Sequence, residues 1–172
     1  MKFFFKTMLF LYVVLFFNFF AQAQPKTENL FKIERNKNAN IVMYDVKTDM
    51  NGNIPTEEPI DAYWILFAKD GRREELGSID KKAYGYKTSS VSVNSFILTL
   101  KAVPQKPIRI SIVNGNPKAQ IEINKRQSYL SKVYVFAKPG LIPTVLYYTL
   151  TGIDIETGKE INEQVNVVNQ NK

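Results

Sequence analysis

Apolar and polar residues alternate in short runs along most of this chain, and turn-forming residues separate the runs. The most apolar run outside the N-terminus is Asp61-Ala-Tyr-Trp-Ile-Leu-Phe-Ala68. In a strand Tyr63, Ile65 and Phe67 share one face and Ala62, Trp64, Leu66 and Ala68 the other, because successive side chains alternate. Both faces are apolar, which predicts a central strand covered on both sides by a second sheet or a barrel wall. Before it, Leu30–Arg35 and Ala39–Val46 read as strands joined by an Asn-rich turn, and Asp49–Asn53 with Pro55 and Pro59 as a connection. After it, strands are predicted at Phe96–Ala102, Ile108–Val113, Ala119–Ile123, Ser128–Lys138, Thr144–Ile153 and around Ile161–Val167. The turns between them include Asn114-Gly-Asn-Pro117, Pro139-Gly-Leu-Ile-Pro143 and Glu156-Thr-Gly-Lys159. One helix is predicted within Ser78–Gly85, capped by Ser78 and stopped by Gly85. The sum is an all-β domain, a single antiparallel β-sandwich or β-barrel of about eight or nine strands with one short helix. No internal repeat points to a solenoid or propeller.

The first residues follow a different pattern. Lys2 and Lys6 form a basic start, Met8–Phe20 is almost unbroken apolar sequence, and Ala21-Gln-Ala23 has the small-x-small form of a cleavage site. Residues 1–23 are therefore expected to be a signal peptide, residues 24–29 a flexible lead-in, residues 30–168 one domain and residues 169–172 a loose tail. An uncleaved anchor is the competing reading, since the apolar run approaches spanning length. After cleavage no integral membrane span is expected. The implied location is periplasmic, extracellular or at the cell surface.

Composition narrows the chemistry more than it supplies any. The formal net charge is +7, and removing Lys2 and Lys6 leaves +5, with both signs interspersed, so no nucleic-acid role is indicated. The chain has no histidine and no cysteine. That removes His-based triads, thiol nucleophiles, disulfides and ordinary zinc sites, leaving Ser with Lys, paired carboxylates, Tyr and oxygen-ligand metals. Asp49, Asn51 and Asn53 alternate as in a calcium loop, but Ile54 and Ile60 stand where glycine and glutamate are required. Ser78 and Lys81 have the spacing of serine–lysine acyl enzymes without their further motifs. Glu34, Asp45, Asp61 and Glu122 lie in or beside strands, and a pair of them is what glycoside hydrolysis would need. No cofactor and no metal site is predicted.

Aromatic residues with polar tips are the most suggestive set. Tyr63, Trp64, Tyr84, Tyr86, Tyr134, Tyr147 and Tyr148 serve an all-β core, and such residues also line sugar and lipid pockets. Three stretches, Ile33-Glu-Arg-Asn-Lys-Asn-Ala-Asn-Ile41, Pro59-Ile-Asp-Ala-Tyr-Trp-Ile65 and Lys82-Ala-Tyr-Gly-Tyr86, resemble a family of secreted proteins found mainly in Bacteroidetes and catalogued as a domain of unknown function. The resemblance implies an envelope location and brings no activity. Each stretch joins an element end to polar residues. Arg35, Asn38, Asn40, Trp64, Lys82, Tyr84 and Tyr86 are accordingly the candidate patch for a small apolar or glycan ligand or an envelope protein partner. The expected function is non-catalytic binding, with a hydrolase using paired carboxylates and a structural scaffold as alternatives.

Overall fold

A computed structural model describes residues 26–36, 38–138 and 144–167. The expected signal peptide, the tail 169–172 and the Pro139–Pro143 turn lie outside them, and no helix among the described residues is long and apolar enough to cross a membrane. Eleven strands form one curled, mixed sheet. They are β1 (Lys26–Arg35), β2 (Asn38–Thr48), β3 (Ile60–Leu66), β4 (Arg72–Glu75), β5 (Tyr86–Ser92), β6 (Ser95–Leu100), β7 (Ile108–Val113), β8 (Asn116–Ile123), β9 (Arg126–Lys138), β10 (Thr144–Asp154) and β11 (Glu160–Asn166). A one-turn α-helix, α1 (Asp80–Ala83), joins β4 to β5.

The organising strand is β9 rather than β3. Along one side it pairs with β10 from Ser128 to Lys138. Along the other, β8 pairs with Arg126–Tyr129 and β1 takes over at Lys132–Val135. The sheet therefore forks into two arms, β8-β7-β6-β5 and β1-β2-β3-β4. Gly152 on β10 permits this, because a Cβ there would run into the Tyr129 carbonyl and Ile123 at the fork. The arms curl toward each other as a half-barrel. Phe31, Val42, Tyr44, Val46, Leu98, Ile108, Ile110, Ile123, Val133 and Leu150 are fully buried between them, each aliphatic contributing roughly 1.5–3 kcal/mol.

Four expectations are corrected. The β1–β9 pair is parallel, so the sheet is not purely antiparallel, and a half-barrel is neither a closed barrel nor a plain sandwich. Two strands beyond the expected number exist, β4 and β5, both too polar to show apolar alternation. β3 buries Ile60, Trp64 and Leu66 on its inner face, whereas Asp61, Tyr63 and Ile65 are only half-buried outside. β1 starts at Lys26 rather than Leu30, because Lys26–Asn29 pair with Thr48–Asp45.

The helix is shorter than expected and Ser78 does not cap it. Asp80 accepts the Gly77 N–H instead, and Gly85 serves by its closeness to the Lys81 carbonyl rather than by a left-handed φ. The chain passing through α1 runs from the edge of one arm to the edge of the other. Side chains tie this seam: the Tyr44 hydroxyl donates to the Tyr84 carbonyl and the Tyr86 hydroxyl to the Ile60 carbonyl. The Ile54 N–H donates to Asn94 Oδ1, and Asn94 Nδ2 to Asn53 Oδ1.

Candidate functional site

Arg35 occupies an inward position at the end of β1. It shares the face of Ile33, since β1 and β9 pair without a shift through Ile33–Val133 and Arg35–Val135. Trp64 is carried inward on β3 opposite Val42, in the same row as Ile33. Tyr84 ends α1 and is held through its carbonyl by Tyr44. These placements converge. The Arg35 guanidinium lies 5.3 Å from the Trp64 ring centre and 5.4 Å from that of Tyr84, and the two rings meet edge to face at 5.1 Å. Burial raises the Tyr84 hydroxyl above its ordinary pKa, with the Arg35 charge pulling the other way.

Among the described residues no carboxylate pairs with Arg35, and its Nε is buried without an acceptor. Two ring faces satisfy the cation electrostatically, each by about 0.5–2 kcal/mol, but rings accept poorly along the guanidinium edge, where the five N–H donors point. An unmatched buried donor costs about 1–3 kcal/mol. This is a half-exposed cation whose buried Nε has no acceptor among the described residues.

The remaining candidates divide. Tyr86 lies farther along the seam, with its ring 6.3 Å from Tyr44 and its hydroxyl on Ile60. Asn38 accepts the Asn40 N–H and Asn40 accepts the Ala68 N–H at 3.0 Å, which fixes the start of β2 to the turn after β3. Lys82 is exposed on α1. The structure thus packs three of the candidates together and puts the others in turns, along the seam and on the surface.

The outer face of β3 holds a cluster that sequence reasoning left unassembled. Asp45 and Asp61 are direct partners across β2 and β3, so their Cβ atoms are about 4.5–5.5 Å apart. Asp45 accepts from Asn29 at 3.0 Å and from the Tyr63 hydroxyl at 2.8 Å. Asp61 accepts from Arg73 at 2.8 Å, and Arg73 also reaches Glu75 and lies 3.8 Å from the Tyr63 ring centre. Burial, followed by the bond to Asp45 and its charge, pushes the Tyr63 hydroxyl up to about 12. The aspartate inside the apolar run of β2 was the available signal. Of the other carboxylates, Glu34 loses some hydration to burial, yet Lys32 and Lys132 hold it below its ordinary pKa. Asp49 closes its own turn on the Asn51 and Asn53 N–H groups, as a turn residue does. Among the described residues no group of three acidic side chains is placed to hold a metal ion.

Residues 31–164 match the family described as Domain of unknown function (DUF4833). The chain belongs to this family. The match spans β1 to β11 and includes every residue of the Arg35 cluster. No match was found among curated proteins or solved structures.

Proposed function

We propose that this member of the family is an exported envelope protein that works by binding, and that its ligand is met at Arg35, Trp64 and Tyr84. One observation carries the reading: an inward arginine set against two aromatic rings that also meet each other, with a buried N–H left without an acceptor among the described residues. Proteins rarely leave such a donor unmatched, and a site for an incoming acceptor is a physical reason to do so. Trp64 and Tyr84 are themselves buried, so they position the guanidinium and the ligand meets its edge. A small, largely apolar or sugar-containing molecule with one acceptor group fits that description. Export rests on the basic start, apolar run and Ala21-Gln-Ala23.

The test is native mass spectrometry of the protein purified gently from its host's envelope, alongside Arg35→Met. A reproducible added mass in the unsubstituted protein that is missing from the variant is the expected result. A bare chain in both, or the same adduct in both, defeats the reading.

The Asp45–Asp61 register favours a second reading, hydrolysis of envelope glycans by two carboxylates carried as cross-strand neighbours. Against it, Arg73 occupies Asp61, while Asn29 and Tyr63 occupy Asp45. Glycan cleavage abolished by both Asp45→Asn and Asp61→Asn would install this reading in place of the first.

A further inference from the structure

The strand edges of the sheet are not equally protected. β4, at the end of one arm, consists of Arg72, Arg73, Glu74 and Glu75, and charges of this kind discourage pairing with another chain. β11 carries Glu160 and Glu163. β5, at the end of the other arm, reads Tyr-Lys-Thr-Ser-Ser-Val-Ser, is almost wholly exposed, and among the described residues pairs only with β6.

Register shows which main-chain groups β5 offers. The Lys101 N–H donates to the Gly85 carbonyl, so Gly85 and Lys101 form a hydrogen-bonded pair. Bonded and non-bonded pairs alternate in an antiparallel ladder. Lys87–Thr99 and Ser89–Ile97 are therefore bonded, and the N–H and C=O groups of Tyr86, Thr88 and Ser90 turn outward, away from β6. Beside that edge, Thr88, Ser90 and Ser92 border a cavity of about 340 Å3 whose opposite wall includes Ile54 and Pro55.

Charge identifies the occupant. Near the Tyr86 end of β5 a second cavity, of about 410 Å3, is bordered by Lys47, Lys81 and Lys101 on one hand and by Glu58, Asp61 and Glu75 on the other. Arg73 already engages Asp61 and Glu75, and Lys47 engages Glu58. That leaves Lys81 and Lys101, with Lys82 and Lys87 nearby, and none of these makes an ion pair among the described residues. Lys101 Nζ donates only to the Lys81 carbonyl, at 3.0 Å.

We propose that the free edge of β5 accepts an extended acidic segment of a partner protein as an added antiparallel strand. Apolar side chains of the segment enter the cavity beside Ile54, and its carboxylates, at its C-terminal end, meet Lys81 and Lys101. Main-chain bonds supply the pairing and the lysines select the sequence.

The probe is a fluorescent octapeptide, Thr-Val-Thr-Val-Thr-Glu-Glu-Glu, compared by anisotropy with the same peptide ending in three lysines. The glutamate peptide binds, and Thr88→Pro, which deletes an outward N–H and no β5–β6 bond, weakens it by about ten-fold, the equivalent of one or two hydrogen bonds. Reversing Lys81 and Lys101 to Glu reverses the preference, whereas Lys118→Glu, on β8 and away from this edge, leaves it unchanged. Should Thr88→Pro unfold, amide exchange at Thr88 and Ser90 in the unsubstituted protein slows when the peptide is added. No binding, equal affinity for the two peptides, or neither a Thr88→Pro effect nor slowed exchange overturns the proposal. A concentration-dependent dimer that Thr88→Pro dissolves also overturns it, by giving the edge to a second copy.

Discussion

Adjacent residues on β3, Tyr63 and Trp64, face opposite sides of the sheet, and each has an arginine on its ring. Outside, Arg73 lies against Tyr63 and one of its terminal nitrogens donates to both Asp61 and Glu75, so its charge meets two carboxylates as well as a ring. Inside, Arg35 lies against both Trp64 and Tyr84, which meet each other edge to face, and it meets no carboxylate among the described residues. The contrast separates two things a guanidinium can be held by. Ring faces satisfy its charge, and only oxygen acceptors satisfy its edge. A cation that has both has its charge and a donor met, and one that has rings alone keeps a donor unmatched. The difference rests on the buried Nε of Arg35, because an unmatched donor costs most where water is absent, while the rest of that side chain is half-exposed.

Removing the inner ring breaks the comparison most severely. Trp64→Ala leaves a cavity under Arg35 and lowers unfolding free energy by about 3–5 kcal/mol, measured by urea denaturation. Replacing each arginine by methionine gives effects of different size. Arg35→Met removes an unmatched donor, at about 1–3 kcal/mol, together with two ring contacts of about 0.5–2 kcal/mol each, so the two cancel and stability stays within about 0.5 kcal/mol of the unsubstituted protein. Arg73→Met removes a partly exposed ion pair and lowers stability by about 0.5–1 kcal/mol. A loss of stability in Arg35→Met larger than that in Arg73→Met would mean that the inner arginine is a structural cation. The smallest effect is at high pH. Tyr63 keeps its proton to about 12, above the unfolded value near 10, so the folded state binds the extra proton in that window. Its contribution is whole below pH 10 and is lost as pH rises toward 12. Tyr63→Phe makes the fall in stability over this window shallower, as followed by denaturation at stepped pH.

Strands with apolar alternation were legible residue by residue, as at Ile108, Ile110 and Ile112, because burial on one face leaves a period of two. β4 and β5 were not, because edge strands need no buried face: four charged residues and a serine-rich segment both join the main-chain ladder without apolar alternation. Pairing direction was also hidden. The parallel contact of β1 with β9 depends on which strand fills the place β8 vacates, and hydrophobic pattern carries no trace of that. For the site, the stretches around Arg35, Trp64 and Tyr84 were distinctive as segments, and the meeting of the three side chains follows from inward positions on β1 and β3. Asn38 and Asn40 looked similar in composition but belong to turn geometry. The Asp45–Asp61 pairing required the β2–β3 register, which a loop carrying two prolines does not specify.

The clasp of Asn36 on Ala137 spans 101 residues of chain, with the side-chain amide donating to the carbonyl and accepting the N–H. Its consequence belongs to the order of folding. The hairpin of β1 and β2 is local and forms within its own neighbourhood of sequence, but its far edge has no partner until β9 exists. Closure of a loop that long must precede any reward from the contacts it brings, so the joining of the two arms is the slow event and β1 waits exposed through it. For a chain synthesised from its N-terminus, that interval lasts at least until residue 137 has emerged.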